Sequence, residues 1–144
     1  MSTTHVGQPS EPSVIRETSS PSASVSWLDI REVKRRLRRA ARRLGKAHPE
    51  IEAVWLFGSL ARAEAVPGSD ADILVVLDAS VLPFAQRPVH YRLEWCGIGV
   101  EMLIYTRAEI ERMYREGNPF LRRIEEERCL LWQRQSRPAH SVAR

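Results

Sequence analysis

Two aspartates two residues apart, Asp70 and Asp72, lead into an apolar run, Ile73-Leu74-Val75-Val76-Leu77, and a Gly58-Ser59 pair ends another, Val54-Trp55-Leu56-Phe57, with ten residues between Ser59 and Asp70. If 71–77 is a strand, alternation puts Asp70, Asp72, Leu74 and Val76 on one side and Ala71, Ile73, Val75 and Leu77 on the other. Two carboxylates projecting together are unfavourable unless a cation lies between them, and hard oxygen donors suit a divalent ion such as Mg²⁺ or Mn²⁺. Gly58 lets backbone come close to an anion, while the Ser59 hydroxyl and the amides that follow can donate to it. Arg62, one helical turn after Ser59, can reach the same anion. A third acid, Glu101, stands alone in Val100-Glu101-Met102-Leu103-Ile104, and the metal of the two aspartates is its cheapest partner. The set makes a place for a polyphosphate and its metal. Ser59 has no histidine or acid spaced to activate it, so hydrolysis by a serine nucleophile is not indicated.

The elements that must position these residues follow from pattern. Asp29 can cap a helix whose third residue is Glu32, with Leu28 packing on Val33; Ile30, Val33, Leu37, Ala41 and Leu44 recur at helical spacing and Gly45 is expected to stop the run. Strands are expected over 51–57, 71–77, 100–105 and 129–132. Between them fall a short helix over 60–65, one after Pro83 to Glu94, one capped by Thr106 with Glu109 and running to Tyr114, and one from Pro119 to about Glu127. Strands interleaved with helices imply an α/β domain, a small mixed β-sheet flanked by helices, too small to be doubly wound.

Composition sets the limits. With 144 residues, 43% of them hydrophobic, the chain can bury one core. Residues 1–26 hold eight serines and three prolines and no leucine or phenylalanine, so a disordered leader is expected there, then a domain over 27–133 and a flexible basic tail over 134–144. Cys96 and Cys129 make no disulfide framework and no zinc motif. No apolar stretch is long enough to span a bilayer and no signal peptide is evident, which points to the cytoplasm. Between residues 31 and 46 stand nine Lys or Arg and one Glu. This basic helix reads as a solvated face or as a handle for an acidic protein or nucleic acid, since like charges such as Arg35 and Arg39 destabilise a helix; it could also steer a nucleotide. The histidines, His5, His48, His90 and His140, are not expected to form a metal cluster, and the aromatics from Phe84 to Trp95 are not read as a base-stacking platform.

Residues 54–77, VWLFGSLARAEAVPGSDADILVVL, resemble the signature of the nucleotidyltransferase superfamily that includes DNA polymerase beta, and specifically its minimal nucleotidyltransferases of bacteria and archaea, MntA-type antitoxins among them. The resemblance extends over roughly residues 30 to 132. It implies the polymerase beta-like fold, Gly58 and Ser59 as the phosphate-binding pair, Asp70 and Asp72 as paired metal carboxylates, and Glu101 as the third. It implies two Mg²⁺ ions, one bound by Asp70 and Asp72 with the phosphates of ATP and the other shared with Glu101, activating an acceptor hydroxyl for attack on the α-phosphate. Minimal members are often partnered with a separately encoded HEPN-type helical protein, and some act as antitoxins by placing AMP on a tyrosine of that partner; relatives with a fused helical domain modify small molecules such as aminoglycosides. A non-catalytic nucleotide-binding or interaction module is the competing class, and assembly with further copies of the chain stays open. Two positions depart from the family pattern: Ala63 replaces the glycine that usually follows the arginine, and Glu101 replaces the more usual aspartate.

Overall fold

The structure is a computed structural model that describes residues 12–135. Its main sheet has four strands: β3 (Ile51–Phe57), β4 (Ala71–Leu77), β5 (Val100–Thr106) and β6 (Cys129–Gln133), in the order β5-β4-β3-β6. β3 runs antiparallel to both β4 and β6, and β5 runs parallel to β4, so the sheet is mixed as expected. β1 (Ile15–Ser20) and β2 (Ala23–Leu28) form a separate antiparallel ribbon. The helices are α1 (Ile30–Ala47), α2 (Gly58–Ala61), α3 (Arg87–His90) after a 3₁₀ turn at Phe84–Gln86, α4 (Arg107–Arg115) and α5 (Pro119–Glu127).

Alternation divides the apolar side chains between two cores. Ala71, Ile73, Val75 and Leu77 face α1, where Val33, Leu37, Ala40, Ala41 and Leu44 complete the larger core. Ile51 and Val54 reach that same side because the β3–β4 register shifts between Ile51 and Ala53. Leu74 and Val76 face the other way, onto Phe57, Ile110 of α4 and Leu121 and Ile124 of α5. α4 starts on the expected capping box: Thr106 Oγ1 accepts from the Glu109 amide at 3.1 Å, and Glu109 accepts from the Thr106 amide at 2.8 Å. Glu109 also holds Arg87, a buried guanidinium that donates to the carbonyls of Leu82 and Ile104. No helix among the described residues is long and apolar enough to cross a membrane.

Five expectations are corrected. Residues 15–28, inside the expected leader, form the β1–β2 ribbon, anchored by Val14 and Leu28, which are 1% and 5% exposed in the larger core, and by the Asp29 amide donating to the Val14 carbonyl at 2.7 Å. Residues 1–11 of that segment lie outside the described residues. At the other end Arg134, expected in the tail, is fixed by an ion pair to Asp78 at 2.7 Å and by its amide donating to the Glu52 carbonyl; 136–144 lie outside the described residues. Gly45 does not stop α1, which continues to Ala47; Gly45 is buried under the Trp132 ring, which would collide with any Cβ there. The helix expected at 60–65 is only Gly58–Ala61, and the one expected after Pro83 is the 3₁₀ turn with α3. Pro88 has no amide to donate to a longer helix, and the segment is held by Arg87 contacts instead.

The like charges of α1 are partly offset. Glu32 accepts from both Arg35 and Arg36, and these cations hold its carboxyl down at about 2. Arg43 pairs with Glu94 at 3.0 Å. Much of the remaining charge, on Arg31, Arg38, Arg42 and Lys46, is exposed.

Candidate active site

The sheet places its acids by register. Asp72 is the Cα partner of Glu101 on β5 and of Phe57 on β3. Strands lie about 4.8 Å apart, so the Asp72 and Glu101 side chains stand next to each other on the face that carries Leu74 and Leu103. Asp70 precedes β4, where the Ala71 amide donates to the Gly99 carbonyl at 2.8 Å. All three acids therefore gather at one end of the sheet, where β3 finishes and β4 and β5 begin. Two glycines make room for them. A Cβ on Gly58 would run into Asp72 Oδ2, and one on Gly99 would run into Asp70 Oδ1. Gly58 also has a φ of +79°, so its type is required twice over, by conformation and by space.

Among the described residues none makes an ion pair or hydrogen bond to the carboxylates of Asp70, Asp72 or Glu101. The Asp72 carboxyl is pushed above the usual range, first by burial and then by the charges of Glu101, Asp70 and Glu127, with Arg62 opposing. Asp70 and Glu101 are exposed and Asp72 is half-buried. Convergent carboxylates with no partner among the described residues fit a hard divalent cation.

The expected phosphate donors are differently occupied. The Gly58 amide donates to Glu127 Oε2 at 2.6 Å, and Arg62 Nη1 donates to both oxygens of the same carboxylate at 3.0 and 3.1 Å. Arg62 Nε donates to Glu64 at 2.9 Å, and these two acids, Glu64 first, raise its pKa. Arg62 is thus brought to the site but points its charge at Glu127, not at an open anion hole. Ser59 is half-buried beside it. Glu127 is the functional-site residue that sequence reading missed. Register explains its presence: Cys129 pairs with Leu56, so the chain two residues earlier comes alongside Gly58. A signal existed, since three successive glutamates at the C-terminal end of α5 oppose the helix dipole and call for a partner elsewhere.

Ala63 adopts a φ of +61°, a left-handed conformation that glycine takes freely and alanine does not. The departure noted in the sequence therefore falls where it is felt. On the same face, a cavity of about 300 Å³ lined by Trp55, Leu74, Val76, Tyr114 and Arg128 lies farther along the strands, away from the acids. Arg128 covers the Trp55 ring at 4.0 Å, which closes that cavity with a cation–π contact.

Comparison with known proteins gives the family and the fold. The sequence profile of the family described as nucleotidyltransferase domain matches residues 34–131. No curated protein matches the chain. A crystal structure from Sulfolobus solfataricus, described as a candidate nucleotidyltransferase, is 22% identical over 73% of this chain and 83% of its own, with a TM-score of 0.50, a likeness of fold alone. A toxin-antitoxin solved with AMP-PNP is 16% identical over 68% of this chain and 74% of its own at a TM-score of 0.42, and a mutant of the toxin-antitoxin MntA-HpeT is 14% identical over the same shares at 0.42; both are too distant to carry an inference.

Proposed function

The chain belongs to the nucleotidyltransferase domain family, and from that premise we propose that it transfers AMP from ATP to a hydroxyl of a separately encoded partner protein, in the manner of an antitoxin acting on an HEPN-type toxin. The observation that supports this most is the set Asp70, Asp72 and Glu101, three acids whose carboxylates have no ion pair or hydrogen bond among the described residues, two of them facing each other in register across parallel strands. The chemistry supplied by Mg²⁺ bound among these acids is neutralisation of the phosphates and a lower pKa for the attacking hydroxyl.

The residues of the chain do the rest. Gly58 lets the polyphosphate approach the turn that ends β3, and the Ser59 hydroxyl donates to a phosphate oxygen. Arg62 contributes its guanidinium once Glu127 gives it up. Asp70 and Asp72 would hold the cation that neutralises the donor's phosphates; a Glu101 carboxylate oxygen takes the proton of the acceptor hydroxyl as its oxygen bonds to the α-phosphorus, and the α–β phosphoanhydride bond breaks so that pyrophosphate leaves. Exposure of Asp70 and Glu101 favours an acceptor carried on a large molecule, because among the described residues no element walls in a small one at this end of the sheet. A cytoplasmic setting, where ATP is abundant, belongs to the same reading.

The experiment incubates the protein with Mg²⁺, labelled ATP and the product of the adjacent gene, then locates any added AMP by mass spectrometry. Label on a partner side chain that disappears with Asp70→Ala or Glu101→Ala is the expected result. A tight complex that never takes label under any nucleotide or metal would instead identify an interaction module. Rapid labelling of an aminoglycoside or another small alcohol would replace the protein acceptor.

A further inference from the structure

At the end of the sheet opposite the three acids, the structure assembles a second set of ligand-type side chains: His48, Glu50 and His90 present donor atoms that all lie within 4.8 Å of one another. They come from distant elements. His48 caps the C-terminus of α1, Glu50 immediately precedes β3, and His90 ends α3. The sequence expectation of no histidine cluster is therefore corrected: His5 and His140 lie outside the described residues, but the other two histidines converge. The two rings sit 5.6 Å apart, centroid to centroid, and both pack edge-on against Tyr91.

We propose that His48, Glu50 and His90 form a binding site for a zinc-class divalent cation, structurally separate from the nucleotide site. Two imidazoles and one carboxylate are the donor set of borderline transition ions, whereas Mg²⁺ prefers oxygen alone. The carboxylate is held in place, as metal-binding carboxylates are: the buried Tyr91 hydroxyl donates to Glu50 Oε2 at 2.5 Å, and the same oxygen lies 3.9 Å from His48 Nδ1. The backbone around the donors is fixed as well. The Ile51 amide donates to the His48 carbonyl at 2.9 Å, and the Asp78 amide donates to the Glu50 carbonyl at 2.8 Å. Ligand bonds of about 2.0–2.2 Å require the three donors to draw together by about an ångström, which the exposed His90 at the end of a one-turn helix can supply. Glu50, His90 and Tyr91 also line a cleft with Ser80 and Leu82, through which water could reach the three donors. The seven-residue β3 separates this cluster from Gly58, a distance of roughly 20 Å. An ion there would clamp the 78–91 segment to the base of the sheet and take no part in phosphoryl chemistry.

The test is Zn²⁺ binding by the full chain, measured by calorimetry and by competition with a chromophoric chelator, with His5 and His140 replaced by alanine throughout. One ion per chain is expected, together with a rise in melting temperature that EDTA reverses. His90→Gln, at an exposed position, is the deciding variant and should weaken binding at least tenfold; His48→Ala and Glu50→Gln should do the same, and Tyr91→Phe should do so by a smaller factor. Asp70→Ala/Asp72→Ala should bind Zn²⁺ like the parent. The proposal is overturned if the parent fails to bind at micromolar zinc, if His90→Gln binds as tightly as the parent, or if the ion is lost from the double aspartate variant.

Discussion

The two ends of the four-stranded sheet carry similar numbers of acids and treat them in opposite ways. At the base, Glu52 pairs with Arg107, Asp78 with Arg134 at 2.7 Å and Glu109 with Arg87 at 2.7 Å, while Glu50 accepts from Tyr91. At the other end Asp70, Asp72 and Glu101 face one another with no cation on them among the described residues, and the nearest guanidinium, Arg62, is already held by Glu127 and Glu64. The same residue types thus serve two purposes. Paired acids close the base of the fold; the others carry mutual repulsion that a bound cation would relieve.

Breaking that contrast should give its largest effect at Asp72. Asp72→Ala is expected to lower nucleotidyl transfer by at least about 10²-fold, on the scale of losing one electrostatic group aimed at the reacting phosphate. The melting temperature should hold or rise, since the substitution relieves repulsion with Glu101 and Asp70. A matched pair of rate and melting measurements checks both halves, and an unchanged rate with a lowered melting temperature would reverse the assignment.

Arg87→Met attacks the base instead. Removing a buried guanidinium that serves Glu109 and two carbonyls should destabilise the chain by about 3 kcal/mol. Arg87 holds the Glu109 carboxyl below its ordinary value, so the bond contributes fully above the usual carboxylate range and is lost as pH falls through the depressed folded value. Urea melts of parent and variant should therefore differ most near neutrality and converge in acid. A gap that widens in acid would contradict the pairing.

Glu127→Gln tests the boundary between the two treatments. Glutamine can still accept from the Gly58 amide but no longer pairs as an ion with Arg62, so ATP affinity is expected to rise several-fold. Equilibrium binding with Mg²⁺ present reads this directly, and weaker binding would mean that Glu127 positions the turn for the nucleotide. The smallest effect belongs to Ala63→Gly, which should stabilise the fold by about 1 kcal/mol by relieving the left-handed strain. Thermal melting decides it; destabilisation would show that the alanine methyl packs usefully.

Much of this was legible before any coordinates. Ile51–Phe57, Ala71–Leu77 and Pro119–Glu127 have the expected limits, because apolar runs of strand length bounded by turn residues, and a proline at a helix start, are local signals. The aspartates were legible for the same reason, being two residues apart on one strand. The β1–β2 ribbon was not, since Ile15–Ser20 and Ala23–Leu28 are exposed along nearly their whole length and bury only their flanking Val14 and Leu28. β2 does alternate, Ala23-Ser24-Val25-Ser26-Trp27, but the stretch is short, lies among serines and prolines, and leaves Val25 and Trp27 exposed, so composition outweighed the pattern. Glu127 beside Gly58 and His90 beside His48 escaped for another reason. Each pair is joined by strand register or by a crossover, and separations of 69 and 42 residues leave no trace in local pattern.

The seating of Trp132 on Gly45 has a kinetic consequence. β6 is the last strand among the described residues, yet it pairs with β3, whose partner residues lie more than seventy positions earlier. Until β6 arrives, β3 presents a bare hydrogen-bonding edge and α1 keeps a notch of exposed backbone at its glycine. Folding must then wait on a long-range closure, and the interval before it is when two unfinished chains can pair edge to edge. The indole that fits the notch is the latch that ends this interval: it covers the glycine backbone as β6 takes the β3 edge, and among the described residues only the outer edges of β5 and β6 then stay unpaired in the four-stranded sheet.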